Sequence, residues 1–149
     1  MVKTKKYSAQ ALEQLIVDLG ELAASNKDLA LAALAEVPSE ILLQALAERG
    51  GHPGVLAQAA LLAAKKSSDY DKGAAGYGDI HNVDRTPYFP FGAVSYAQML
   101  HTKSVRFNSI VKKILDGAEP NFEGLRDTAL DIINYAGFFA ADKTANGEG

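Results

Sequence analysis

The sequence predicts an all-α fold, and three observations carry that prediction. Apolar residues recur at three- and four-residue spacing in one segment after another. No stretch alternates apolar and polar residues over the length of a strand. Alanine and leucine dominate the front of the chain, which suits helices that approach one another closely. The expected architecture is a helical bundle with Ala/Leu-rich N-terminal helices and one long Gly/Tyr-rich functional loop. Its expected parts are an N-terminal helical extension over 1–52, a core domain over 53–142 and a frayed tail over 143–149.

Each element follows from local signals. Ser8 is placed to cap a first helix carrying Leu12, Leu15, Ile16, Leu19 and Leu22 at helical spacing. The "SNKD" of 25–28 interrupts it, and "LALAALAEV" forms a short second helix ended by Pro38. Ser39 begins a third, "SEILLQALAERGG", closed by Gly50 and Gly51. Pro53 opens a fourth that runs into "KKSSDY". From Ser67 to Gly92 the texture changes to glycine, tyrosine, aspartate and proline, too aromatic for a disordered segment. Two long helices follow, from Ala93 to about Asp116 and from Asn121 to about Asp142, with Gly117 stopping the first.

Composition bounds the function. The chain has 149 residues, 48% hydrophobic and 22% charged, as expected of one globular domain with or without an extension. Its net charge of −3 gives no electrostatic footprint for nucleic acid or an anionic membrane. With no cysteine, disulfides, thiolate catalysis and Cys-ligated metals are excluded. No apolar run approaches the ~18 residues of a membrane span, and no basic-then-apolar leader opens the chain. A cytoplasmic location is expected.

Two helices carry residues that ask for a reason. On the last helix Asp127, Asp131 and Asn134 fall within roughly 60° of arc, edged by Leu130, Tyr135 and Phe138. The opposite face, expected to be core, is Leu125, Ala129, Ile132, Ile133, Ala136, Phe139 and Ala140. On the helix before it, Lys103 projects into the middle of an apolar face made by Tyr96, Leu100, Phe107, Ile110, Val111 and Ile114, with Arg106 on the rim. A lysine among core positions must snorkel, pair with a carboxylate or meet an anionic ligand. The short "GAEPN" connection makes the two helices antiparallel neighbours, so the acidic stripe and the cations face each other. One outcome is plain ion pairing, Lys103 with Asp131 or Arg106 with Asp127. The other is a site in which carboxylates hold Mg²⁺ while Lys103 and Arg106 take phosphate oxygens. Lys66, Asp69 and Tyr70 sit at a helix-to-loop transition, where side chains can point over a cavity.

The segments "KKSSDYDKG", "YFPFGAVSYAQMLHTKSVRF" and "PNFEGLRDTALDIINYAGFF" together resemble a family found mostly in phages and prophages. It is the first of the nucleotide-modification-associated domain families, itself distantly similar to the all-α MazG-type and dimeric dUTPase-type nucleoside triphosphate pyrophosphohydrolases. The resemblance spans about 61–141. It marks Lys66, Asp69, Tyr70, Lys103, Arg106, Asp127, Asp131, Asn134 and Tyr135. It implies Mg²⁺ on Asp69, Asp127 and Asp131, with Asp127 and Asp131 catalytic. It places the phosphates on Lys66, Lys103 and Arg106, and base or sugar on Asn134 with Tyr70 or Tyr135. The implied reaction cleaves a (deoxy)nucleoside triphosphate to monophosphate and pyrophosphate. A homodimer or tetramer is implied, in the host cytoplasm if the chain is phage-encoded. Those enzymes carry a Glu-x-x-Glu on an earlier helix where this chain has "KKSSDYD", and 74–86 reads as an insertion. A non-catalytic nucleotide binder, and a structural or adaptor helical oligomer, are the alternatives.

Overall fold

The computed structural model describes residues 8–70, 81 and 83–148, the side chains of 67–70 excepted. Among these residues there are seven α-helices and no strand: α1 (Ala9–Ser25), α2 (Lys27–Ala35), α3 (Ser39–Arg49), α4 (Gly51–Tyr70), α5 (Ala93–Leu115), α6 (Phe122–Ala141) and α7 (Lys143–Asn146). No single described helix is long and apolar enough to cross a membrane. The chain forms two compact units, Met1–Leu42 and Leu43–Gly149, with the division inside α3.

The first unit is built on two caps. The Ser8 hydroxyl accepts the Ala11 N–H at 3.1 Å, opening α1. Asn26 ends α1 and opens α2, its side-chain oxygen accepting the Leu29 N–H at 3.1 Å. Ala30 of α2 is buried, whereas Leu12, Leu15, Ile16 and Leu19 of α1 are exposed.

In the second unit α6 is the central element, packed against α4, α5 and α7. Helices α5 and α6 run antiparallel. Tyr96, near the start of α5, meets Phe139 and Asp142 at the end of α6, and Lys103 meets Asp131 in the middle. Between them, Ala118 N–H bonds to Lys113 C=O and Gly117 N–H to Ile114 C=O, with Gly117 at φ 94°. This is a Schellman closure, and only glycine adopts that φ without strain. Asn121 then caps α6 by accepting the Gly124 N–H at 2.9 Å. On α4 the buried residues among those whose side chains are described are Gly54, Ala57, Ala59, Ala63 and Ala64, small enough to permit close packing.

One sequence expectation is corrected. The inward face of α6 is not the expected stripe: Thr128 and Leu130 are its buried residues, while Ala136 and Ala140 are exposed. With α4 and α5 both packed on α6, the covered arc is rotated and widened towards the polar side. Thr128 is accommodated because its hydroxyl donates to the Gly124 carbonyl at 2.7 Å. After Ala141 the chain continues into the short α7. Asp142 ends α6 and caps α7, accepting the Ala145 N–H at 3.1 Å, and the Asn146 amide donates to the Ala140 carbonyl at 2.9 Å.

Candidate functional site

Lys103 lies where the periodicity of α5 places it, and its Nζ is 2.8 Å from Asp131 Oδ2 on α6. The second oxygen of the same carboxylate, Oδ1, faces Lys66 Nζ of α4 at 3.6 Å. Three helices thus deliver two ammonium groups to one carboxylate, leaving a formal charge of +1. The two lysines differ in setting. The Lys103 side chain is 18% exposed and its contact short, whereas Lys66 is 58% exposed and its contact long. Lys103 and Asp131 form the fixed pair; the Lys66 ammonium is loosely held and able to turn to an incoming anion.

A cleft of about 260 Å³ begins one helical turn further along α6. Its walls are Leu56, Ala60, Ala63 and Ala64 of α4 with Ile133, Gly137 and Phe138 of α6. Its polar side chains are Asn134 and Arg85, and Val83 completes the lining. Lys66 follows Ala63 and Ala64 on α4, and Asp131 precedes Asn134 on α6, so the charge cluster adjoins one part of this cleft.

Arg85 was not singled out by the sequence. Its guanidinium carbon stands 3.7 Å from the centre of the Phe138 ring, a cation–π contact. Arg85 is half-buried, and burial pushes its pKa below the ordinary value against the pull of Tyr96 and Asp142. It also lines a second, more polar cleft of about 210 Å³ with His81, Asp84, Thr86, Asp142 and Thr144. There the Thr86 N–H donates to Asp84 at 2.9 Å and holds that carboxyl below its usual pKa.

The aromatic "YFPFG" supports this wall from behind. Phe89 is buried and stacks on Tyr96 with ring centres 4.1 Å apart. Tyr135 packs edge-on against Phe89 and Phe138. Gly92, at φ 55°, turns the chain into α5, and the Ser95 hydroxyl accepts the Phe91 N–H at 3.0 Å.

Of the residues the sequence marked, Lys66, Lys103 and Asp131 converge, and Asn134 lines the adjoining cleft. Arg106 and Asp127 are exposed and form no ion pair among the described residues. Tyr135 belongs to the aromatic support and lines neither cleft. The side chains of Asp69 and Tyr70, and residues 74–80 and 82 of the 74–86 segment, lie outside the described residues. What the sequence reading missed besides Arg85 was Gly137. A glycine inside a helix is unfavourable by about 1 kcal/mol relative to alanine, which was a legible signal.

The donor set at Asp131 fits Mg²⁺ poorly. Each of its oxygens already faces an ammonium group, and a dication there would be repelled by both. No group of three carboxylate or imidazole ligands exists among the described residues. No family model, curated protein or solved structure matches this chain.

Proposed function

We propose that this chain is a nucleotide-binding protein, holding a nucleotide or nucleotide-derived phosphate compound at the α4–α6 cleft. The observation that carries this reading is the convergence of Lys66 and Lys103 on Asp131 beside an apolar cleft. Lys103 neutralises Asp131, so Lys66 supplies charge to a ligand phosphate without leaving a buried carboxylate alone. The apolar walls receive the rest of the ligand, as in most small-molecule sites.

Phosphate binding by this set needs no metal. Mg²⁺-dependent hydrolysis to monophosphate and pyrophosphate is the rival reading. One feature favours it: Asp127 lies one turn before Asp131 on the same stripe, exposed and outside any ion pair among the described residues.

The test is a panel of ribo- and deoxynucleoside triphosphates, with and without Mg²⁺, read by thermal unfolding and by ion-exchange separation of products. A ligand at a hundred times its Kd should add ~2.7 kcal/mol of stability. The expected result is a stabilisation that survives chelation of Mg²⁺, with no monophosphate formed, and that Lys66→Met weakens. Mg²⁺-dependent monophosphate production would replace binding by hydrolysis. No stabilisation by any nucleotide would overturn both.

A further inference from the structure

Three features of the α4–α6 cleft bear on what fills it. The first is Gly137. A Cβ built there meets nothing within 4 Å, so no neighbour demands a glycine, and its φ is not positive. Helical propensity disfavours glycine at this position, and the missing side chain keeps open a cleft that Gly137 itself lines.

The second feature is the hydrogen-bonding state of Arg85. The guanidinium has five N–H donors, and its contact with the Phe138 ring uses none of them on an acceptor. No carboxylate pairs with it among the described residues. Asp142, whose charge acts on Arg85, already holds two hydrogen bonds. One of its oxygens accepts the Tyr96 hydroxyl at 2.9 Å and the other the Ala145 N–H at 3.1 Å. A half-buried cation that lines an apolar cleft, with solvent-accessible donors that meet no protein acceptor, is available to acceptors from an occupant.

The third is Asn134, the other polar side chain of the cleft. Its amide offers both a donor and an acceptor and so accommodates either kind of edge. Arg85, which has only donors, does the discriminating.

We propose that the cleft selects a planar heteroaromatic ring with carbonyl acceptors on its edge, an oxo-bearing nucleobase such as uracil, thymine or guanine, with Arg85 donating to those carbonyls. This rests on the nucleotide-binding reading above and adds its ring specificity. The contrast lies at the pyrimidine 4- or purine 6-position, where the exocyclic amine of cytosine or adenine turns N–H donors towards Arg85 and uracil, thymine and guanine present a carbonyl. The apolar walls take the ring faces, and Gly137 supplies the room.

Calorimetric titration of the whole chain with UTP against CTP, GTP against ATP, and inorganic tripolyphosphate as a ring-free probe tests this. The oxo-bearing member of at least one pair should bind at least about tenfold tighter than its amino counterpart. Arg85→Met should bring that ratio close to one. Gly137→Leu should reduce nucleotide affinity to the level of tripolyphosphate, while Gly137→Ala, whose Cβ meets nothing within 4 Å, should not lower Tm. Equal or tighter binding of the amino-bearing nucleotides would overturn the assignment, as would undiminished nucleotide binding by Gly137→Leu. Binding of tripolyphosphate with no gain from any ring would overturn it while leaving the phosphate reading intact. Binding of no probe at all would remove both.

Discussion

Tyr96 shows how much one side chain does here. It is 1% exposed, stacked on Phe89 and tilted against Phe139, and its hydroxyl donates to Asp142 at 2.9 Å. Asp142 in turn ends α6 and caps α7. One phenol therefore ties the start of α5 to the end of α6 and to the helix beyond. Burial first, then the bond to Asp142 and its charge, push the phenol from 10.0 to about 12, against the pull of Arg85. Because the folded-state pKa is raised, the stabilisation is complete below pH 10 and is lost as pH climbs towards 12. Tyr96→Phe should cost about 1.5 kcal/mol at neutral pH, the worth of a hydrogen bond to a charged acceptor. In urea unfolding, the gap between wild type and variant should narrow between pH 10 and 12. A gap that stays constant through that interval would remove Tyr96 as the titrating group.

Among the elements, the end of α3 lies close against the start of α4 at Gly54. A Cβ at Gly54 would stand 2.9 Å from the Leu46 carbonyl oxygen and 3.4 Å from that of Ala47. Backbone cannot yield as a flexible side chain does, so Gly54→Ala should cost about 1–3 kcal/mol, measured as a lowered Tm. Equal stability would mean that α3 shifts freely. Helix limits were legible because their signals are local: Ser8, Pro38, Gly117 and Asn121 act within a few residues of themselves. The placement of Lys103 was legible for a related reason. Periodicity fixes its face on α5, and a short turn fixes which helix comes next. Arg106 and Asp127 are exposed and do not pair with each other, since a helical stripe gives direction and not how far the neighbouring helix covers it. Arg85 was beyond reach because its position depends on a tertiary contact with Phe138, from a part of the chain without periodicity.

The molecule as a whole divides its labour unevenly. The second unit holds the clefts, the ion-paired cluster and the aromatic support. The all-α class followed from the sequence because each of the longer helices, α1 to α6, carries its own apolar residues at helical spacing. Exposed-surface substitutions in the first unit should leave ligand affinity within about twofold, as surface substitutions usually cost less than about 0.5 kcal/mol. Ile16→Ser, at an exposed α1 position, checks this by titration with the tightest nucleotide found. A tenfold loss would show that the units are coupled.

The thin burial of the first unit has a kinetic meaning as well. With Ala30 as its buried residue and the leucines of α1 facing outward, its backbone hydrogen bonds are guarded mainly by helix propagation. Amide hydrogens there should exchange with solvent deuterium through local fraying, at rates insensitive to mild denaturant. Those in the middle of α5 and α6 should wait for global opening and speed up as denaturant is added. The chain would then carry two clocks: a fast one in its first helices and a slow one in the bundle that houses the clefts.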